Sequence, residues 1–344
     1  MQKFMRILKS ISGWLAAAVA AAFICNLSCF LFYMPFQELQ RSAGSTTGFL
    51  LPLSCGVYGL EGYCRDMVDE KGYVNRDIPR SDEYYVAAGA SHTEGLFLPM
   101  NLRYSDILND TVWNDGKNHV INIGKSGNYF SVVLQHLEGI LGEFPDAKGI
   151  IIETDSLCYD TKALYDSMVQ TGYDPDETAA SLVGKMSQRQ KMIIKTKQAL
   201  PLLRLCHKQY YTFLESRTEN ERSDILDPEF WQSEYDGDFE TALDDLMKFI
   251  RSKTDKQVII LYHPAVSLNE DGTMTALTNN AEPYYEKVCK ANGIDFIDMT
   301  QPFMKAYEED HIIPYGFMNT TPGEGHTNRA AHEMMAEELA KVIR

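Results

Sequence analysis

Residues 84–95 read YYVAAGASHTEG and contain the clearest signal of the fold. The first five residues form a short apolar run without polar alternation, which is typical of a parallel strand buried on both faces. Gly89 follows the run directly and predicts a tight turn into a helix. The turn places Ser91 at the end of a buried strand, where a hydroxyl can serve as a nucleophile or as the cap of a helix.

Four further apolar runs of similar character follow along the chain, at residues 119–123, 149–153, 257–262 and 295–299. Between these runs, apolar residues recur at helical spacing, at residues 130–141, 239–250, 284–291 and 330–343. Strands that alternate with helices predict a parallel sheet with right-handed crossovers. The expected fold is therefore a three-layer α/β domain with about five parallel strands.

Composition divides the chain into three parts. Residues 1–40 comprise a cytoplasmic tip and an apolar segment, residues 41–82 form a juxtamembrane lead-in without a regular pattern, and residues 83–344 form the α/β domain. The domain carries an insertion at about residues 158–256, because a crossover between parallel strands needs far fewer residues.

The insertion has a helical pattern. Residues 186–211 read as one long, basic helix that is interrupted near Pro201, and residues 215–245 are strongly acidic. Because sites in open parallel sheets lie at the carboxyl ends of the strands, the insertion is either a lid or wall for such a site or additional packing.

The N-terminal segment predicts a membrane anchor. Lys3, Arg6 and Lys9 precede an uncharged stretch at residues 11–36, longer than the roughly 20 residues that span a bilayer as a helix. A cleaved signal peptide is the alternative, although the apolar character extends beyond its usual length. The basic residues predict a single-pass protein of the cell membrane, with a cytoplasmic N-terminus and an extracytoplasmic domain.

Charge and cysteine usage narrow the choice of partners. The net charge is −16, with 48 acidic and 32 basic residues, which argues against nucleic acid or anionic lipid as the main partner. Cys55 and Cys64 are close enough in sequence for a local disulfide, and two free thiols are the equal alternative. The sequence calls for no metal and no cofactor.

Two glycine-rich segments carry the candidate chemistry. In the first, Ser91 precedes Glu94 by three residues, so the serine is either a nucleophile or part of a capping box. The second is HVINIGKSGN at residues 119–128, where Gly127 can present its N–H group to a ligand. Both segments follow predicted strands.

Two polar segments complete the candidate site. The third apolar run ends in Glu153-Thr154-Asp155-Ser156, a polar cluster at the same edge of the predicted sheet. Near the C-terminus, the sequence GHTNR at residues 325–329 contains His326, which can act as a general base if the fold brings it to Ser91.

Taken in this order, the segments around Ser91, Gly127 and His326 resemble the SGNH, or GDSL-like, hydrolase family. The resemblance covers residues 82–344 without the insertion, and it implies a flavodoxin-like fold and acyl chemistry through a serine acyl-enzyme. It implies that Ser91 is the nucleophile and His326 the base. It further implies that the N–H groups of Ser91 and Gly127 stabilise the oxyanion.

The chain departs from the family pattern at two positions. Where the family has an oxyanion-donating asparagine, this chain offers Ser156 as the donor. Where the family has an aspartate three residues before the histidine, this chain has Gly323, so Glu324 or a backbone carbonyl would orient His326. Further side chains at the same edge are candidate substrate contacts: Asn128, Asp155 and His263. For His263 the favoured alternative is a loop histidine whose hydrogen bonds are satisfied within the fold.

Three functions remain open at the level of sequence. The first is a membrane-anchored, extracytoplasmic serine esterase that removes O-acyl groups, chiefly O-acetyl groups, from glycans or acts on another ester. The second is an O-acyltransferase that uses the same residues to modify a cell-envelope polysaccharide, with an integral-membrane protein as acyl donor. The third is a non-catalytic protein that binds glycans or acts as a scaffold.

Overall fold

The computed structural model describes residues 2–41, 48–171, 174–215, 237–278 and 280–343. The N-terminal part consists of one long helix and short strands: α1 (Gln2–Phe32), β1 (Tyr33–Met34), β2 (Glu38–Leu39), β3 (Phe49–Leu50), β4 (Cys55–Tyr58) and β5 (Cys64–Met67).

The α/β domain follows. Its first half contains β6 (Arg80–Ala88), α2 (Ser91–Glu94), α3 (Tyr104–Leu108), β7 (Asn118–Asn122), α4 (Phe130–Gln135), α5 (Leu137–Glu143) and β8 (Gly149–Thr154). The segment predicted as an insertion contains α6 (Thr161–Ser167), α7 (Ala179–Lys185), α8 (Gln188–Ala199), α9 (Pro201–Glu215) and α10 (Gly237–Lys253). The second half contains β9 (Gln257–Tyr262), β10 (Ala265–Leu268), β11 (Met274–Leu277), α11 (Glu282–Ala291), β12 (Asp295–Asp298), α12 (Thr300–Asp310) and α13 (Arg329–Val342).

The central sheet has five parallel strands in the order β12-β9-β8-β6-β7. In chain order this is 2-1-3-4-5, the flavodoxin-like arrangement, and its switch point lies between β6 and β8. All five predicted strands are present, and the expected α/β fold is confirmed. The carboxyl ends of β6 and β8 therefore flank the position where such sheets place their ligands.

Side chains alternate between two hydrophobic layers, one on each face of the sheet. In β9, Val258 and Ile260 pack in one layer, whereas Ile259 and Leu261 pack in the other. Helices α4, α5, α10 and α11 contribute to the first layer, and α3, α12 and α13 contribute to the second. The predicted three-layer architecture follows because every strand buries both of its faces.

The lead-in is more regular than the sequence indicates. β4 pairs antiparallel with both β1 and β5, so the chain leaves α1 directly into a small three-stranded sheet. Strands of two to four residues are too short to show a period, and their pairing joins distant segments. A buried ion pair, Arg103 Nη2 to Asp66 Oδ2 at 2.5 Å, joins this sheet to the α/β domain.

The two cysteines of the lead-in are out of register with each other. Cys55 lies opposite Met67 and Cys64 lies opposite Tyr58, and all seven cysteines are free thiols. Of the two alternatives left open by the sequence, the structure has the free thiols.

The helical pattern of the insertion is interrupted near Pro201, as the sequence predicts. α8 ends at Ala199 and α9 begins at Pro201, which cannot continue a helix from its preceding turn. The acidic stretch predicted at residues 215–245 lies partly outside the described residues, at 216–236.

Helix α1 contains the stretch Ser10–Phe32, which has the length and composition of a membrane anchor or of a signal sequence. Its large apolar side chains are exposed, including Trp14 and Phe23.

Candidate active site

Ser91 is the first residue of α2, but it does not cap that helix. The N-cap residue is Ala90, which makes no side-chain capping hydrogen bond. Instead, Oε2 of Glu153 on the neighbouring strand β8 accepts the N–H groups of Ala90 and Thr93, at 3.0 and 3.3 Å. Glu94, the other member of the predicted capping box, accepts the N–H of Ser126 at 2.7 Å. The capping-box hypothesis is wrong, because the carboxylate of Glu153 takes that role.

Gly89 is required by the close approach of this carboxylate. A Cβ atom at position 89 would lie 2.4 Å from Oε2 of Glu153 and 2.4 Å from Oγ1 of Thr93. Only glycine therefore allows the turn before Ser91 to pack directly on the end of β8.

Glu153 belongs to a buried ion pair below this turn. Its side chain is 1% exposed, and Oε1 lies 3.0 Å from Nε2 of the fully buried His263. Nδ1 of His263 lies 2.6 Å from the hydroxyl of Tyr315, which donates to the carbonyl of Pro264 at 2.9 Å. Both ring nitrogens of His263 are therefore hydrogen-bonded inside the fold, one to Glu153 and the other to Tyr315.

The ionised form of Glu153 is strongly favoured. Burial works against the charge, but the hydrogen bond and positive charge of His263 outweigh it and lower the pKa of the carboxyl to about 2. The fold thus holds a permanent carboxylate directly beneath the turn that carries Ser91.

Replacing Glu153 by alanine is expected to lower the free energy of unfolding by about 3–5 kcal/mol, because it removes one partner of a buried pair and leaves the donors of Ala90, Thr93 and His263 without their acceptor. Urea denaturation of the full chain in detergent micelles measures this change. The matched control is Glu83→Ala, which removes an exposed ion pair with Lys148 and should change stability by less than about 0.5 kcal/mol. Equal effects of the two substitutions would contradict the assignment.

His326 is held by an acid that sequence reasoning did not identify. Nδ1 of His326 lies 2.9 Å from Oε1 of Glu61, in the loop between β4 and β5, and the backbone N–H of His326 donates to Oε2 of the same residue at 3.0 Å. The pair leaves Nε2 as the ring nitrogen that can accept a proton. Glu324, the predicted orienting acid, is exposed, so this prediction is corrected.

Gly325 makes room for Glu61. A Cβ atom at position 325 would lie 2.5 Å from Oε2 of Glu61, and the backbone there has φ +88°, which favours glycine. The GHTNR segment therefore needs its glycine in order to accept the Glu61 loop.

The fold brings the Ser91 and His326 segments together across 235 residues. The N–H of Thr327 donates to Nδ1 of His92 at 3.2 Å, and Oγ1 of Thr327 lies 3.1 Å from the same nitrogen. The rings of His92 and His326 are 5.3 Å apart, centroid to centroid. The residues that follow Ser91 and His326 thus bond to each other.

The direct bond between the predicted nucleophile and base is not formed. Within the described part of the chain, Oγ of Ser91 and Nε2 of His326 make no hydrogen bond, either with each other or with another residue. Catalytic hydrogen bonds of this kind often become short only in the substrate complex. The structure therefore brings the two segments together and leaves both reactive atoms unpaired.

The turn at Gly127 presents an N–H group near the contact between the Ser91 and His326 segments. Gly124 donates its N–H to Oδ1 of Asn122, and Ser126 donates to Glu94, so both ends of the turn are fixed. Gly127 has φ +88°, and among the described residues neither its N–H nor that of Ser91 has a protein acceptor. These two donors remain available to an oxyanion.

The remaining predicted residues divide between exposed and buried positions. Asp155 keeps 38% of its side chain exposed, and its Oδ2 lies 3.7 Å from Nε2 of His92. Partial burial and the charge of Glu153 raise the pKa of Asp155. Ser156 accepts the N–H of Cys158 at 3.1 Å and keeps its own hydroxyl proton for another acceptor.

Two predicted substrate contacts are buried. Asn128 is 5% exposed and lines a cavity of about 20 Å³ with Arg41, Tyr73 and Gly89. His263 is fully buried in its pair with Glu153. Neither side chain reaches solvent. For His263 this agrees with the structural role that the sequence favours over a substrate contact, and for Asn128 the contact with substrate stays a prediction.

A further histidine, His332, contacts the His326 segment and Tyr104. Its Nδ1 accepts the N–H of Tyr104 at 3.1 Å, and its Nε2 lies 3.2 Å from Oγ1 of Thr327. Burial, together with the charge of His263, lowers the pKa of His332 to about 3. The neutral imidazole is therefore the form that the fold accommodates.

Stability is expected to fall as the pH falls below about 6.5, the ordinary pKa of histidine. Below that value the unfolded state protonates His332 and the folded state does not, so unfolding is favoured until the pH reaches about 3. This one group removes about 2 kcal/mol between pH 7 and pH 5. Urea titrations at the two pH values measure the loss, and His332→Gln should reduce it; an unchanged difference in that variant would contradict the prediction.

Glu61, Glu153 and Tyr315 are the site residues that sequence reasoning missed or assigned no role. Glu153 carries a signal, because an acid directly after three isoleucines must be paired when the strand is buried. Glu61 and Tyr315 carry none, because their partners are more than fifty residues distant in sequence.

Comparisons with known proteins give a likeness at the level of structure only. No protein-family model matches the sequence, and no curated protein matches it either. Among solved structures, a member of the lipolytic protein G-D-S-L family from Veillonella parvula has 12% identity and a TM-score of 0.38, with 76% of this chain and 98% of that chain covered.

Two further solved structures are similar to a comparable degree. LAE5, an alpha/beta hydrolase enzyme from the metagenome of Lake Arreo, has 14% identity and a TM-score of 0.40, covering 76% of this chain and 95% of that one. A two-domain esterase active on acetylated mannans has 12% identity and a TM-score of 0.39, covering 75% of this chain and 48% of that one. With TM-scores of this size, these similarities do not establish membership of a family.

Proposed function

We propose that the chain is a membrane-anchored, extracytoplasmic serine esterase that removes O-acyl groups, chiefly acetyl groups, from glycans. The observation that carries the proposal is the Glu61–His326 pair. The pair fixes the ring of His326 through Nδ1 and leaves Nε2 free. The next residue, Thr327, is hydrogen-bonded to His92, which follows Ser91.

The reaction follows from these positions. Oγ of Ser91 attacks the acyl carbonyl carbon while Nε2 of His326 takes the hydroxyl proton. The carbonyl oxygen becomes an oxyanion that accepts hydrogen bonds from the N–H groups of Ser91 and Gly127, each worth about 3 kcal/mol. The C–O bond to the sugar then breaks, and the leaving oxygen takes the proton from His326.

Water completes the cycle. A water molecule gives its proton to Nε2 of His326 and attacks the acyl-enzyme, and Ser91 leaves with the proton that His326 returns. The carboxylate of Glu61 stabilises the imidazolium that forms twice in each cycle. Glu153 holds the backbone of the serine turn through Ala90 and Thr93.

A fluorophosphonate probe tests the proposal directly. The folded full chain in detergent should be labelled, and mass spectrometry of the peptides should place the label on Ser91. Heat-denatured protein is the control, because a serine activated by its neighbours loses its reactivity on unfolding. A folded chain that stays unlabelled, or that is labelled at another serine, would overturn the proposal.

The competing candidate is a non-catalytic protein that binds glycans. The absence of a hydrogen bond between Ser91 and His326 in the described structure is the observation that favours it. The same probe decides between the two, because a binding protein would leave it unreacted.

The acyl acceptor separates hydrolysis from transfer, since both use the same residues. Incubation with acetylated xylan, with and without added free glycan, distinguishes released acetate from newly acetylated sugar. We infer hydrolysis, because water reaches a site whose base and acid are each 22% exposed.

A further inference from the structure

We propose that α8 and α9 lie on the membrane surface beside the anchor and bind anionic phospholipid headgroups. The proposal rests on the anchor in the proposed function, but it does not depend on the esterase activity. It gives the insertion a role, because the candidate active site makes no use of α8 or α9.

The charge of this segment is opposite to that of the rest of the chain. Residues 178–214 contain no aspartate or glutamate, although the chain as a whole has 48 acidic residues and a net charge of −16. The same segment contains seven basic residues: Lys185, Arg189, Lys191, Lys195, Lys197, Arg204 and Lys208. A basic segment in an acidic protein is attracted to anionic lipid while the remainder is repelled from it.

Exposed apolar side chains accompany the charge on α8. Met192 and Ile193 are 65% and 43% exposed, and they lie next to the exposed Arg189, Lys195 and Lys197. Lysine and arginine side chains beside apolar ones can lie along an apolar surface and keep their charged ends in the headgroup region of a membrane.

Helix α9 has an exposed apolar face and a fixed face. Leu203 and Tyr210 are 57% and 59% exposed, and they share a face because seven residues make two turns. A neighbouring face of α9 is fixed, because Arg204 donates to the carbonyls of Pro35 and Phe36, at 2.6 and 3.0 Å.

The anchor sets the depth of the two helices. Nδ2 of Asn26 donates to the carbonyl of Ala199, and Oδ1 of Asn26 accepts the N–H of Leu202, at 3.2 and 3.1 Å. Asn26 lies six residues before the end of α1 at Phe32, which is about 9 Å along a helix. Interfacial helices bury their apolar faces by about 5–10 Å. The junction of α8 and α9 therefore lies at the depth where such helices bind.

A bilayer is the occupant that fits all of these observations. It covers the exposed face of α1 and continues onto α8 and α9, and its anionic headgroups complement the basic residues. The contact with the anchor also holds the Glu61 loop close to the membrane, because the ring centroids of Tyr63 and Phe32 are 6.5 Å apart.

Hydrogen–deuterium exchange of the full chain in nanodiscs tests the proposal, with one chain in each disc. Discs of phosphatidylcholine alone are compared with discs that contain 30% phosphatidylglycerol. Exchange of the peptides that cover α8 should be at least about fivefold slower in the anionic discs. One basic residue near an anionic surface is enough to produce an effect of this size. Exchange of α13, on the other side of the site, should be equal in both discs.

Two triple variants make the result specific. Arg189→Gln, Lys195→Gln and Lys197→Gln together should remove the slowing. The matched control replaces the exposed Lys248, Lys287 and Lys305 by glutamine and should retain it. Equal exchange of α8 in both discs, or loss of the slowing in the control, would overturn the proposal.

Photo-crosslinking gives a second measurement that needs no loss of charge. Benzoylphenylalanine in place of Met192 should form adducts with lipid, and the same group in place of Lys248 should not. Crosslinks to protein in place of lipid would identify a different occupant and would also overturn the proposal. A chain that fails to enter the discs would refute the anchor, whereas a chain that enters but lacks esterase activity leaves this result unaffected.

Discussion

Replacing Ser91 by alanine is expected to reduce kcat/KM for an acetyl ester by about 10⁴- to 10⁶-fold, because no other group can form the acyl-enzyme. The side chain makes no hydrogen bond within the described structure, and Glu153, not Ser91, caps α2. The substitution should therefore leave the stability of the fold unchanged. Hydrolysis of p-nitrophenyl acetate and thermal unfolding of the full chain in detergent measure the two quantities.

The control for this experiment is Ser267→Ala. Ser267 is an exposed serine on the hairpin strand β10, so its loss should alter neither activity nor stability. A Ser91→Ala variant that retains more than about one hundredth of the activity would show that another residue is the nucleophile.

Replacing Glu61 by glutamine is expected to lower kcat by about 10⁴-fold with little change in KM, as loss of the orienting acid does in serine triads. The amide nitrogen of glutamine can donate to Nδ1 of His326, which moves the ring proton to Nε2. A base that already carries its proton at Nε2 cannot take one from Ser91. Initial rates over a range of substrate concentrations separate the two parameters.

Glu324→Gln is the matched control, because Glu324 is the acid that the sequence favours and it lies two residues from the same histidine. It is exposed, whereas Glu61 bonds both to Nδ1 and to the backbone N–H of His326. We expect this variant to keep its full activity. If Glu324→Gln loses activity and Glu61→Gln does not, the geometry has assigned the wrong acid.

The parts of the fold that could be predicted are those in which burial produces a local pattern of apolar residues. The five core strands are continuous apolar runs because each buries both faces, and this burial leaves its mark on the sequence of every strand. The short strands of the lead-in left no such mark, because their few residues owe their form to partners elsewhere in the chain.

The parallel α/β core, the apolar N-terminal helix and the candidates Ser91, Gly127 and His326 could all be predicted from the sequence. Each of these follows from residues that are neighbours in the chain, as a period, a turn or a short segment. Only the tertiary structure decided that Glu153 caps the serine turn, that Glu61 and not Glu324 holds His326, and that the basic helices of the insertion meet the anchor at Asn26. The physical reason is the same in each case: a hydrogen bond between residues far apart in sequence depends on where the fold brings them, and no local pattern records that position.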